Sequence, residues 1–222
     1  KTLTIERYLG SDRLADGRQL AMSVFGDLLD KKFSYLVVAA NGNGSNVSSN
    51  DDSRFQRSAR VTFTPWAAKQ GKLTLGANGF WSEDTAVTRA GLGFTGNTFA
   101  GRPHGAGIDA TLTWDRFDLS AEWLGMDYRP VNAVPDAQFD AEAWQATLAY
   151  YVLPSKLQAV LRHERFDPNS RRANDVVDSW LLGLNYYLKG DDLKLQLNYL
   201  LGDTPGATGS QDRLITRMQV MF

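Results

Sequence analysis

The chain closes on Asp212, Arg213, Leu214, Ile215, Thr216, Arg217, Met218, Gln219, Val220, Met221 and Phe222, and these residues alternate in character. Counting back from Phe222, the residues Val220, Met218 and Leu214 share its face, while Gln219, Arg217 and Arg213 point the other way. A period of two describes a strand with one apolar side and one wet side. The same alternation recurs through the rest of the chain, and that repetition decides the fold.

With 222 residues, the chain can bury one core or close a barrel of moderate size. Hydrophobic residues make up 43%, and the mean hydropathy is −0.33. No apolar run reaches the ~18 residues of a membrane helix. A transmembrane barrel escapes this test, because only every second strand residue meets lipid. Six Trp, eight Tyr and eleven Phe cluster near the expected strand ends, and most of the Gly and Pro fall in turns. Basic and acidic residues nearly cancel, 24 against 25, which speaks against nucleic acid as a partner. The absence of cysteine excludes disulfides and thiolate metal sites.

Eleven amphipathic strands are expected, at about 19–25, 33–40, 55–65, 72–81, 106–115, 117–128, 142–153, 156–166, 177–188, 193–201 and 212–222. An extra local strand is conceivable at 88–94, inside the longest connection, 82–105. Leu20, Phe33, Tyr35, Val37, Val61 and Phe63 are expected to face outward. The later strands alternate most cleanly: Trp144, Ala146, Leu148, Tyr150 and Val152 share one face, and Trp180, Leu182, Leu184, Tyr186 and Leu188 share another.

The connections alternate between short and long. Tight turns near 27–32, 65–71, 116, 154–155 and 189–192 all fall on the side where the last strand ends. Long polar segments fall on the other. That asymmetry, with strands of the ~9–11 residues needed for a tilted crossing, is the pattern of an antiparallel transmembrane β-barrel with periplasmic turns and extracellular loops. A soluble sandwich has strands nearer ~5–6 residues and turns of mixed length at both ends. A last strand ending on an aromatic also resembles the close of bacterial outer-membrane barrels. Eleven strands cannot close such a barrel, whose strand number is even. With residue 1 inside what reads as a loop, the expectation is that Lys1 is not the biological amino terminus and that upstream strands complete the wall.

A family comes into view at the opening stretch. Ile5, Glu6, Arg7, Leu9, Ser11, Asp12, Leu14, Gly17, Arg18 and Leu20 resemble the "IER-x-L-x-S-D-x-L-x-x-G-R" segment of the phosphate-selective porins O and P. Phe33, Ser34 and Tyr35 leading to Asn41, Gly42, Asn43 and Gly44 are similar to its next strand, as are Arg60, Val61, Phe63, Thr64 and Pro65 to the one after. Asp118, Leu119, Ser120, Ala121 and Glu122, and the closing Arg217, Gln219 and Phe222, also resemble it, whereas Ala21 stands where the family usually has Gly. The resemblance implies a sixteen-stranded, homotrimeric barrel in the outer membrane, in contact with lipid and lipopolysaccharide. About five strands would then lie upstream. It further implies that residues 1–18 end a loop folded into the pore as part of its constriction, with 19–222 forming the wall. The implied function is passive diffusion of small hydrophilic solutes, with a modest preference for anions or phosphate at most.

Selectivity in a pore comes from charges lining its narrow part. By alternation Arg60, Arg162, Lys194, Arg213 and Arg217 face the lumen, as do Asp109, Asp115, Asp118, Glu122 and Glu164. In residues 1–18, Arg7, Arg13 and Arg18 are candidates for contacting an anion, since guanidinium groups bind phosphate in bidentate fashion. Glu6, Asp12 and Asp16 interleave with them, so a salt-bridge network tethering the loop is an equal reading. Arg7, Arg13, Arg18, Arg60, Arg162, Lys194 and Arg217 are therefore the pore-lining candidates. A barrel that sheathes or anchors a partner protein is the second functional class. A barrel hydrolase is a remote third, because serine chemistry needs a neighbouring base. Only His104 and His163 are present, no G-x-S-x-G elbow accompanies them, and they are too few and too isolated for a metal site. No enzyme activity and no cofactor are expected.

Overall fold

The computed structural model describes residues 3–15, 17–50, 53–92, 94, 97–131, 138–202 and 212–221; Asp16 and Phe222 lie outside them. A short helix, α1 (Leu9–Leu14), precedes β1 (Ala21–Leu28), β2 (Phe33–Ala40), β3 (Gln56–Ala68), β4 (Gly71–Trp81), β5 (Asp84–Thr88) and β6 (Thr98–Trp114). The remaining strands are β7 (Phe117–Pro130), β8 (Phe139–Leu153), β9 (Leu157–Asp167), β10 (Val177–Lys189), β11 (Leu193–Gly202) and β12 (Arg213–Val220). Leaving β5 aside, the strands pair antiparallel in chain order from β1 to β12, which gives the eleven expected; β5 pairs with the upper end of β6. Among the described residues β1 and β12 are the two ends of this curved sheet and are not paired with each other.

The register separates two surfaces. Leu73, Leu112, Leu119, Leu148, Leu161, Leu182, Tyr199 and Leu214 are successive partners across β4, β6, β7, β8, β9, β10, β11 and β12. One step along, Thr111, Ser120, Thr147 and Arg162 partner one another on the opposite face. Leucine outside and hydroxyl or guanidinium inside is what lipid on one side and water on the other select. A Lys or Arg at the bilayer midplane costs roughly 2–4 kcal/mol. Trp66 and Trp114 mark the outer face near the short-turn end, and Trp81, Trp123, Trp144 and Trp180 mark it nearer the long connections, as two interfacial belts do.

The hairpins at 29–32, 69–70, 115–116, 154–156 and 190–192 all lie at one end, and the close of β12 joins them, with the Met221 N–H donating to the Asp192 carbonyl at 2.7 Å. Asp115, expected to face the lumen, sits in such a turn with a left-handed φ of 52° because β6 ends at Trp114. Pro65 and Trp66, expected in a turn, are inside β3, where a bulge between Phe63 and Trp66 absorbs the proline. The largest correction concerns residues 98–105, expected in a loop: β6 begins at Thr98, and the extra strand lies at Asp84–Thr88 rather than 88–94. β6, β7 and β8 run 17, 14 and 15 residues, longer than the ~9–11 a crossing needs, so their upper ends stand above the bilayer.

Candidate pore lining and the segment laid against it

The inner face is polar in its lower and middle part. Asp109, Glu122, Gln145 and Glu164 are register partners across β6, β7, β8 and β9. Arg60 on β3 grips Asp109 with both terminal nitrogens, at 2.7 and 2.9 Å. Gln158 on β9 donates to the Asp118 carboxylate at 2.7 Å and accepts the Tyr187 hydroxyl at 2.7 Å. Lys194 is sealed beneath Tyr187, its ammonium 2.9 Å from Asp191.

Residues 3–9 lie against this wall. Asn185 donates to the Leu3 carbonyl at 2.8 Å, and the Ile5 N–H donates to Asn198 at 2.7 Å. Arg162 donates to the Thr4 hydroxyl and to the Glu6 carbonyl at 3.1 and 3.0 Å. Arg213 pairs with the Glu6 carboxylate at 3.3 Å. The contacts come from β9, β10, β11 and β12, so strand alternation brings one row of polar side chains to bear on one extended stretch of backbone. This is how a segment without a sheet partner satisfies its peptide groups.

From Tyr8 onward the anchoring becomes apolar. Residues 1–18 were expected to be a loop, but α1 forms and seats Tyr8, Gly10 and Leu14 against β7, β8 and β9. Gly10 is required there, because a Cβ would collide with Ala143 on β8. Leu92, Phe99, Tyr128, Phe139 and Phe166 complete this core, with Phe94 packed among Phe99, Tyr128 and Phe139 in tilted and edge-on contacts at centroid distances of 4.9, 5.6 and 5.3 Å. Contacts of this kind add about 0.5–1.5 kcal/mol per pair beyond area burial. The upper inner wall is therefore packed and apolar, above the charged lining that alternation picks out. The Tyr8 hydroxyl faces Glu122; burial first, then the Glu122, Glu164 and Asp109 carboxylates, push it well above the usual tyrosine range.

Between the inward segment, the β5–β6 connection and β9–β12 lies a recess of about 710 Å³. Arg7, Arg13, Arg162 and Arg213 line it, together with Glu6, Asp12 and Glu164. Arg162 is paired with Glu164 at 3.0 Å and Arg213 with Glu6. Among the described residues Arg7 and Arg13 have no ion-pair partner, and both are exposed. Arg18 is exposed and offers its carbonyl to the Asn46 N–H at 2.7 Å. Arg217 faces inward from β12 and donates to Gln219 at 3.1 Å. Alternation alone could not point to Tyr8, Asn185 and Asn198, whose importance lies in what they hold. His163 faces outward, as expected, between Trp144 and Trp180 and 2.8 Å from Asp178.

Comparison with known proteins agrees with this architecture. Crystal structures of Pseudomonas aeruginosa OccK9 (OpdG) and OccK10 (OpdN) superpose with a TM-score of 0.56 each, at 13% and 19% sequence identity, and what the likeness shows is the fold. Each superposition covers 88% of this chain but 52% and 58% of those chains, so the chain spans little more than half their length. Among curated proteins the chain matches none. The profile of the phosphate-selective porin O and P family matches residues 83–222, well over half the chain. The chain belongs to the phosphate-selective porin O and P family, and its place is the bacterial outer membrane.

Proposed function

We propose that this chain supplies wall and constriction to a passive channel for small hydrophilic solutes, with a modest preference for anions. The observation that carries this reading is the recess of about 710 Å³ into which Arg7 and Arg13 project without carboxylate partners among the described residues, while the arginines of the wall are paired. Fixed charge at a narrowing acts on a passing ion more strongly than the same charge in open water. Arg60, Arg162, Lys194 and Arg217 shape the wall, and their engagement by Asp109, Glu164, Asp191 and Gln219 supports a structural role over direct anion contact. Arg18 lies at the exit of the inward segment.

A sealed lumen requires the outer edges of β1 and β12 to be paired, since unpaired backbone groups in hydrocarbon each cost several kcal/mol. The assembly this reading carries is a homotrimer embedded in lipid and lipopolysaccharide. The test is planar-bilayer recording of the full-length protein under a salt gradient. Ohmic steps with a reversal potential on the anion side are expected, moving toward cations in Arg7→Glu/Arg13→Glu. Absence of conductance together with a tightly co-purifying protein would support the sheath instead.

A further inference from the structure

The outer face carries a second cluster of charge at the height where lipid headgroups begin. On β3, β4, β6 and β7 the outward partners Arg57, Trp81, His104 and Asp127 stand side by side, well up the strands from the row of Leu73, Leu112 and Leu119. Arg102 and Arg129 face each other across β6 and β7 just above them. On β8, β9 and β10 the balance is opposite: Asp140 partners Asp127, and one and two outward positions lower stand Glu142 with Asp167 and Asp178 with Arg165. Positive charge is therefore concentrated on one sector of the rim.

That sector is concave. A cleft of about 500 Å³ is bounded by Trp81, Arg102, His104, Arg129 and Val131. Asp127, itself held by Gln138 at 2.7 Å, takes Nε of Arg129 at 3.0 Å and Nη2 at 3.4 Å, so the guanidinium is oriented while Nη1 has no hydrogen-bond partner among the described residues. Arg102 is 70% exposed and reaches only to 3.8 Å from Glu83. Two forked cations and an indole lining one cleft, with apolar Val131 at its edge, match a phosphate on a sugar ring whose acyl chains run down the barrel wall.

We propose that this cleft binds a phosphorylated glycolipid headgroup of the outer leaflet, its phosphate between Arg102 and Arg129 and its sugar against Trp81. The proposal rests on the reading of this face as lipid-facing, and it assigns the cleft no part in permeation. The test uses native mass spectrometry of the full-length protein in detergent with a diphosphorylated lipid A and its dephosphorylated form. Wild type is expected to favour the diphosphorylated form by about tenfold, the gain expected of one charge-assisted contact. Arg102→Gln/Arg129→Gln is expected to abolish that preference, and heat-modifiable gel migration checks that the variant is folded. Equal binding of the two lipids by wild type, or an undiminished preference in the folded variant, overturns the proposal. Displacement by millimolar inorganic phosphate as effective as by lipid A also overturns it, in favour of a solute site. Single-channel conductance is expected to be the same in wild type and variant, so loss of the lipid preference and failure of the channel reading are separable.

Discussion

Arg162 and Glu164, two residues apart on β9, form a 3.0 Å ion pair on the inner wall with 4% and 8% of their side chains exposed. Arg162 also reaches Thr4 and the Glu6 carbonyl, and Glu164 accepts from the Leu9 N–H at 3.4 Å. Two neighbouring inward positions of β9 thus grip both ends of the inward segment. Arg162→Met leaves Glu164 buried without its cation, a change that costs about 3–5 kcal/mol in sealed sites. The expected outcome is release of residues 3–9, seen as new proteolytic cleavage there and larger, noisier conductance steps. Arg162→Met/Glu164→Gln should be milder than the single change.

Gly10 admits α1 to the wall at Ala143. Gly10→Val should displace the helix at a cost of about 1–3 kcal/mol, the usual penalty of overpacking. The check is a lowered temperature of segment release by hydrogen exchange at residues 8–14, with the unfolding of β9–β11 unmoved.

Tyr8 gives the packing a pH limit. Its ordinary value is 10.0, and burial with the nearby Glu122 raises it in the folded protein. The fold holds the neutral phenol, so its contribution is complete below pH 10 and is lost as pH rises above that toward the folded value. Protection of residues 8–14 from exchange should therefore be flat from pH 7 to about 10 and weaken above it. Tyr8→Phe should remove that alkaline component.

The outer tier predicts a different kind of sensitivity. Leu148 and Leu182 sit mid-strand on β8 and β10, exposed to the lipid side. Leu148→Arg should destabilise folding into vesicles by about 2–4 kcal/mol, measured by denaturant titration. Thr111→Arg, on the inner face, should cost far less.

Strand number, the short-turn side and the inward or outward sense of most positions were legible in the sequence, because lipid and water impose opposite demands on alternate residues. The upper end of β6 was not. Gly101, Pro103 and Gly105 read as a loop, yet the regular pairing with β4 ends at His104, and beyond it the Ser82 N–H donates to the Pro103 carbonyl at 3.0 Å, a contact that asks no N–H of the proline. The apolar inner core was hidden for a related reason. Tyr8, Leu92, Phe99 and Phe139 are far apart in sequence, and periodicity shows which face a residue takes but not what covers that face. Arg213 read as lumen-facing, while its hold on Glu6 depends on a contact 207 positions away.

If these strands wall a water-filled passage with lipid behind it, cysteines placed on their two faces, where these 222 residues have none, will meet different surroundings. Thr111→Cys on the inner face and Leu119→Cys on the outer face occupy neighbouring strands, β6 and β7. With full-length protein in a planar bilayer, a charged, membrane-impermeant thiol reagent should label Thr111→Cys and lower its single-channel conductance, leaving Leu119→Cys unlabelled and its conductance unchanged. Equal labelling at both positions, or labelling at Thr111→Cys with no change in conductance, would contradict the account.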